Sequence, residues 1–283
     1  MARYGVLYLE KNNFYAALLS KKKESILVED FYEETFEEEI FKITSFGVLP
    51  QDLKVLDKKI KELISASKVK NWCLLLPDWW QKSLILEEEN IPKAPKELKS
   101  FLEWHFKKAY NLRPEEVRFS YLLQNGNGKN RVLITFCLEK LISLLEEIFR
   151  SKKKHLGFIT SSFWALSFLV PKKGTWALLS IEKNLWTLGI FEEEKLLSLR
   201  QKILPEENFS LMKEEIERTL NLNEKTVENF YLNLNNPYFE SENFYLDFNF
   251  LTLSPEGVKV LKEAPLWWER FKGPFLGVLY GIP

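Results

Sequence analysis

The sequence predicts an α/β protein built as two related lobes, with a small α+β insertion in the first. Three observations predict it. A strand–turn–strand–turn–strand meander opens the chain and recurs in its second half. Apolar runs of strand length alternate with segments of helical periodicity. A block with its own helix and its own hairpin signal interrupts the first lobe.

The second copy of the meander is the clearer one. Trp176-Ala177-Leu178-Leu179-Ser180-Ile181 and Leu185-Trp186-Thr187-Leu188-Gly189-Ile190-Phe191 flank the polar tip Glu182-Lys183-Asn184. Leu196-Leu197-Ser198-Leu199 follows after Glu192-Glu193-Glu194-Lys195. Each run has strand length and each break has turn chemistry. The N-terminus has the same form. Leu9-Glu10-Lys11-Asn12 aligns with Ile181-Glu182-Lys183-Asn184, Phe14 with Trp186, and Leu18 with Ile190. A charged turn from Lys21 to Glu24 leads to Ser25-Ile26-Leu27-Val28.

The first lobe is expected over residues 1–78 and 131–173. Residues 29–41 carry an acidic run among Phe31, Phe36, Ile40 and Phe41, a solvated strand-to-loop face. A role for the acids at 33–39 is not assigned by sequence. Residues 51–66 put Leu53, Leu56, Ile60, Leu63 and Ile64 on one helical face. Residues 71–76 are a buried strand stopped by Pro77. Residues 138–150 form a helix through Leu141, Ile142, Leu145, Ile148 and Phe149. Its basic end, Lys152-Lys153-Lys154, reads as a complement to the helix macrodipole rather than a lipid or nucleic-acid patch. Phe158-Ile159 is a short strand, and residues 162–169 a short helix before the crossover at Pro171 and Gly174.

The insertion is expected over residues 79–130. Ser83-Leu84-Ile85-Leu86 is a strand, and residues 96–110 a helix. That helix turns Leu98, Phe101, Leu102, His105 and Ala109 inward, with Trp104 and Phe106 at the flanks. Strands at 119–123 and 132–136 surround Asn125-Gly126-Asn127-Gly128, a strong hairpin signal. The second lobe, 174–257, continues past its meander into a helix at 210–220 and strands at 229–234 and 244–250. The final stretch, 258–283, carries Trp267-Trp268 and the apolar run from Phe275.

Composition narrows the function. At 283 residues the chain is long enough for a large core. Lysine plus arginine and aspartate plus glutamate stand at 40 each, so no global basic field attracts nucleic acid. Cys73 and Cys137 sit in apolar runs and read as buried thiols in a reducing compartment. Two histidines, His105 and His155, exclude a histidine-rich metal site. No apolar stretch approaches the roughly 20 residues of a membrane-spanning helix, and no signal peptide opens the chain, so a soluble cytoplasmic protein is expected. The carboxylates at Glu87-Glu88-Glu89, Glu115-Glu116 and Glu192-Glu193-Glu194 fall in turns and helix starts, where solvated charge is the default. His155 near Ser161-Ser162 forms no recognisable triad spacing.

Two further stretches carry a resemblance. One is Leu74-Leu75-Leu76-Pro77-Asp78-Trp79-Trp80, then Ser83 to Leu86, Ile91-Pro92, a helix, and Pro114-Glu115-Glu116-Val117-Arg118-Phe119-Ser120-Tyr121. The other is Arg131-Val132-Leu133-Ile134-Thr135-Phe136-Cys137, a helix, then Leu156-Gly157-Phe158-Ile159-Thr160 and Phe163-Trp164-Ala165-Leu166. With the doubled meander, they make the chain resemble actin-like (ribonuclease H-like) proteins. Within that superfamily it is similar to the PilM-like proteins of type IV pilus machines and to the cytoplasmic domains of type II secretion L proteins.

The resemblance implies a nucleotide site that this chain has altered. Working members carry Asp-x-Gly in the first turn of each lobe, where aspartate organises magnesium and glycine admits phosphate. Here Tyr8 and Ser180 hold the aspartate positions, Glu10 and Glu182 the glycine positions, and Tyr15 a position often held by lysine. One carboxylate about 4 Å from a phosphate charge costs roughly 4 kcal/mol at an effective dielectric of about 20. Two such groups offset the roughly 8 kcal/mol of a micromolar affinity. No late Gly-Gly segment cradles an adenosine; Asn233-Leu234-Asn235-Asn236-Pro237 stands where one is expected. Loss of ATP and magnesium binding is therefore expected, with no cofactor and no metal.

The resemblance also implies a role. It is that of a non-catalytic scaffold, peripheral at the cytoplasmic face of the inner membrane and not inserted in it. Such a scaffold binds the cytoplasmic N-terminal peptide of a PilN-like membrane protein between the first lobe and the insertion. A pilus or secretion assembly ATPase is the second implied partner. Trp79, Trp80, Phe101, Trp104 and His105 are the candidates to line that groove, as aromatic anchors. The competing expectations are an active actin-like ATPase or kinase-like enzyme, and a phage or mobile-element structural protein.

Overall fold

A computed structural model describes residues 1–23, 25–37, 40–44, 47–124, 130–182, 185–203, 209–221, 226–234, 250–251 and 257–282. The opening meander is β1 (Ala2–Leu9), β2 (Asn13–Lys22) and β3 (Ser25–Thr35). The second is β11 (Thr175–Glu182), β12 (Leu185–Glu192) and β13 (Lys195–Ile203). The repeat extends to register. Leu9 pairs with Phe14, and Ile181 pairs with Trp186. The expected third strand of the first meander runs on through Thr35, so half of the acidic run is β3 itself.

In the first lobe β3 is followed by a hairpin, β4 (Phe41–Thr44) and β5 (Gly47–Pro50), that sequence reading did not resolve. Then come α1 (Leu53–Ala66) and β6 (Asn71–Leu76). Asp52 caps α1, its Oδ1 accepting the Lys54 and Val55 N–H groups at 3.0 Å each. Leu56, Ile60, Leu63 and Ile64 are buried as expected, but Leu53 is exposed because the helix begins on it. After the insertion come α3 (Glu139–Ser151), β10 (His155–Ser161) and α4 (Ser162–Ser167).

The second lobe continues with α5 (Phe209–Asn221), β14 (Asn229–Leu234) and β15 (Phe250–Leu251). The strand expected at 244–250 and the Asn-Gly turn at 125–128 lie outside the described residues, save Phe250. The chain then returns to the first lobe as β16 (Val258–Val260) and α6 (Leu266–Gly281). Among the described residues no helix is long and apolar enough to cross a membrane.

The first-lobe sheet has the order β10-β6-β1-β2-β3-β16, and the second-lobe sheet β13-β12-β11-β14-β15. β6 and β10 run parallel to β1, so their C-terminal ends meet the first turn, as do those of β11 and β14 in the other lobe. One face of the first sheet packs on α1 and α3 through Leu7, Ile60, Trp72 and Phe149. The other packs on α6, whose Trp267, Trp268, Phe271 and Phe275 cover Tyr8, Tyr15 and Phe31. Gly277 lets α6 cross α4 closely, since a Cβ there would run into the Ala165 carbonyl.

The insertion is a three-stranded sheet, β7 (Lys82–Glu88), β9 (Asn130–Leu138) and β8 (Val117–Gln124), backed by α2 (Pro95–Tyr110). β9 is its central strand, so the sheet runs to Leu138, past the division at 130 expected from sequence. The helix faces inward through Leu98, Leu102 and Phe106. Phe106 is a core residue against Phe136 at 4.6 Å, not a flank, while Ala109 is exposed. Phe101 and His105 are only half-buried. Cys73 and Cys137 are free and buried, and burial pushes both thiols up to about 12.

Candidate functional site between the lobes

Glu10 and Lys11 of the first repeated turn and Glu182, which leads into the second, border one small cavity between the lobes. The residues around these turns do different work from that expected of a phosphate site. Tyr8, on β1, is buried under α6, its ring 4.7 Å from that of Phe271. Tyr15, its partner on β2, lies 5.1 Å from both Phe271 and Trp267. Burial, and after it the charge of Glu10, pushes the Tyr15 hydroxyl up to about 12. Two positions to which the resemblance led us to assign phosphate chemistry are thus part of an aromatic core. Glu10 turns to α6 as well, with its Oε1 3.7 Å from Arg270 Nη2.

Glu182 takes the opposite course. It ends β11 and crosses to the first lobe, where its Oε2 accepts the Asp78 N–H at 2.7 Å. Only 5% of the glutamate is exposed, and Asp78 is wholly buried. Asp78 opens a single 3-10 turn, Asp78–Trp80, directly after Pro77. Its Oδ1 accepts the Phe163 N–H of α4 at 2.7 Å. The hydroxyls of Ser161, Ser180 and Thr187 face the same carboxyl. Gln201 of β13 donates to the Asp78 carbonyl and to Thr187 Oγ1 at 3.4 Å each. Asp78 Oδ2, Glu182 Oε1, Ser162 Oγ and Ser180 Oγ make no hydrogen bond of ordinary geometry among the described residues.

A buried pair of carboxyls 104 residues apart in sequence thus joins the lobes, one of them at a position where the resemblance led us to expect glycine. Burial pushes the Asp78 carboxyl up to about 6, against the Phe163 N–H and the surrounding hydroxyls. Burial, and then the neighbouring Asp78 charge, pushes Glu182 well above the usual carboxylate range. Two carboxylates this close do not both ionise readily, so the pair retains a proton above the pH at which an exposed carboxyl loses it.

The space left in the cleft is small. Tyr8, Glu10, Pro77, Trp79, Glu182 and Arg270 border a cavity of about 20 Å³. That holds about one water molecule, whereas ligand pockets typically measure roughly 300–1,000 Å³. Among the described residues no group of three or more histidine, cysteine, aspartate or glutamate side chains is placed to hold a metal.

A second hollow lies where the insertion, the first lobe and the second lobe meet, with Trp176 and Phe191 of the second lobe also in its wall. It measures about 350 Å³, and its walls include Tyr121, Leu122, Leu133, Phe158, Trp164 and Phe168. β8 and β10, which border it, are each the end strand of their sheet. Leu122 is 52% exposed.

The aromatic candidates read from sequence do not line this groove. Trp80 is 1% exposed and packs edge-on against Phe41 at 4.6 Å, in the core beside the β4–β5 hairpin. Trp79 lies against Trp80 and borders the interlobe cleft. Phe101, Trp104 and His105 do come together, on α2. The His105 ring is 4.4 Å from Phe101 and 4.7 Å from Trp104, and its Nε2 is 3.7 Å from Glu88. Trp104 is 58% exposed beneath Lys108. From sequence Tyr121 and Phe158 are ordinary strand positions and Trp164 one residue of a short helix, so no local signal sets these groove residues apart. Asp78 lay in view after Pro77, but nothing in the spacing said that it was buried.

No protein-family model matches the sequence, and no curated protein matches it by sequence. Solved structures do. The chain is similar to the "PilM-PilN type IV pilus biogenesis complex" over 99% of both chains, at 14% identity and a TM-score of 0.72. It is similar to the cytoplasmic domain of EpsL, an inner-membrane component of the type II secretion system of Vibrio cholerae. That match covers 97% of this chain and 95% of the other, at 10% identity and a TM-score of 0.56. The ethanolamine utilization protein EutJ of Carboxydothermus hydrogenoformans matches over 98% and 90% at 9% identity and a TM-score of 0.50. The chain therefore has the actin-like ATPase fold, in the arrangement of PilM and the EpsL cytoplasmic domain that its sequence led us to expect.

Proposed function

We propose that the protein is a non-catalytic scaffold of an inner-membrane assembly platform, of the type IV pilus or type II secretion kind. The observation that carries this reading is the likeness to PilM, end to end on both chains, combined with a cleft of about 20 Å³ where a nucleotide would bind. The scaffold sits at the cytoplasmic face of the membrane. It holds the cytoplasmic peptide of a PilN-like membrane protein, and an assembly ATPase is its second partner. The groove between β8 and β10 is the seat of the peptide. Its two free strand edges offer main-chain hydrogen bonds, and Tyr121, Phe158 and Trp164 offer apolar contacts.

Calorimetric titration tests both halves. Magnesium-ATP is expected to give no binding heat, because Glu182 and Asp78 fill its site. Tight, stoichiometric ATP binding would restore the ATPase reading and sink this one. A synthetic N-terminal peptide of a PilN-like protein from the same genome is expected to bind. Leu122→Glu is expected to weaken that binding by at least tenfold, roughly 1.4 kcal/mol or more, while leaving the thermal midpoint within a few degrees. Undiminished binding by this variant would move the peptide elsewhere, with the exposed face of α2 around Trp104 as the next site to mutate.

A further inference from the structure

Three lysine-bearing turns, far apart in sequence, end at one edge of the first-lobe sheet. Strand register puts them there. Tyr4 of β1 pairs with Leu19 of β2 and with Asn71 of β6, and Asn71 pairs with His155 of β10. Just outside that level stand Lys22 at the end of β2 and Lys23 after it, Lys68 and Lys70 before β6, and Lys152 and Lys153 before β10. All six are exposed. None has an acidic partner among the described residues, although lysine and arginine ion pairs are frequent elsewhere. Glu24 is the one carboxylate in these turns by sequence, and it lies outside the described residues.

The turns are also tied to each other. Lys154 points inward and donates to the Ser67 and Val69 carbonyls at 2.7 Å each. Burial, and then the neighbouring Lys70 charge, holds the Lys154 ammonium below its ordinary range. The macrodipole of α3 therefore accounts for only part of this cluster, since two of the three turns belong to other elements. β3 starts from the same edge and runs to Glu33 and Glu34 at its far end. At that far end Glu34 is paired with Lys59, whereas the six lysines at the near end have no acidic partner among the described residues.

The character of the edge selects the partner. Neither the cleft nor the groove reaches it. Arg3, at the same level on β1, is held by Glu29, so the exposed cations left without an acidic partner are lysines, compact point charges without the planar fork that reads phosphates two at a time. The three turns contain no aromatic residue on which a base would stack. Flat, diffuse positive charge fits a flat, diffuse negative surface. We propose that this edge docks the protein on an anionic phospholipid bilayer, with the acidic end of β3 turned away. The inference needs no partner protein and stands apart from the peptide-binding reading.

Co-sedimentation of the full chain with vesicles tests it. Binding is expected to mixed phosphatidylglycerol–phosphatidylcholine vesicles, to fall steeply with added salt, and to be absent with phosphatidylcholine alone. Lys22→Glu and Lys23→Glu combined with Lys152→Glu and Lys153→Glu should weaken vesicle binding at least about tenfold. A double control on α2, Lys107→Glu with Lys108→Glu, should change it no more than roughly twofold. Lysine-to-glutamine changes at the same four edge positions serve if charge reversal lowers the thermal midpoint. Absence of vesicle binding, an equal loss in the α2 control, or preference for a DNA duplex over vesicles would each overturn the proposal. Peptide binding in solution should be unaffected by the edge variants, so the two readings fail separately.

Discussion

Phe271→Ala should lower the unfolding free energy by about 4 kcal/mol, the cost typical of removing a large buried aromatic side chain. The ring is fully buried and lies against Tyr8 and Tyr15 at 4.7 and 5.1 Å. It therefore fixes α6 to Tyr8 and Tyr15 at the end of the β1–β2 hairpin. Urea denaturation followed by tryptophan fluorescence would measure the loss. Trp267 and Trp268 flank the site and report on it directly. Phe271→Leu should cost less than half as much, because most of the volume remains. A loss under about 1 kcal/mol for the alanine variant would mean that α6 does not complete the first-lobe core.

The second large effect concerns Asp78 and Glu182. Both carboxyls are held above their ordinary range, so between the unfolded and folded values the native protein binds more protons than the unfolded chain. Stability contributed by the neutral forms is present at low pH. It is lost as the pH rises, through about 6 for Asp78, and Glu182, raised in the same direction, adds to the loss. Thermal midpoints taken across this range should therefore fall toward alkaline pH. Glu182→Gln keeps an acceptor for the Asp78 N–H and removes one titrating group, so it should flatten the fall and match or exceed the parent protein at pH 8. Glu182→Ala leaves that buried N–H unpaired and should cost about 2 kcal/mol at low pH, where the pair is neutral, with the cost shrinking as the parent's carboxyls ionise. A glutamine variant with an unaltered pH profile would show that the pair does not titrate as described.

Much of the architecture was legible because it rests on periodic burial. Leu9 over Phe14 and Ile181 over Trp186 are the same cross-strand pair in two copies, and apolar alternation displays such pairs directly. The helices α1 and α3 were equally plain, each with a stripe of buried aliphatics. The β4–β5 hairpin was not, since four-residue strands carry too few alternations to stand out. The site was half legible. Through the resemblance the sequence led us to expect five replaced positions, Tyr8, Glu10, Tyr15, Ser180 and Glu182, and with them a loss of phosphate binding. It placed Glu182 as a repelling charge in a cleft, whereas the side chain spans the cleft and is buried. No local pattern announces a carboxyl whose partner lies in the other lobe. The basic edge was missed for the same reason. Each lysine turn looks ordinary alone, and only the order of strands in the sheet collects them.

The path of the chain has a consequence for how the molecule is made. Residues of the second lobe are bracketed by the first, because β16 and α6 come back to cover Tyr8, Tyr15 and Phe31. Lys21 Nζ, for instance, donates to the Leu279 carbonyl across 258 residues. During synthesis on the ribosome the opening meander therefore emerges long before its α6 cover. Through that interval one apolar face of the sheet stays open, while the second lobe has its own meander and α5 close at hand. The half translated second is thus positioned to fold first, and the half translated first must be shielded until it is sealed.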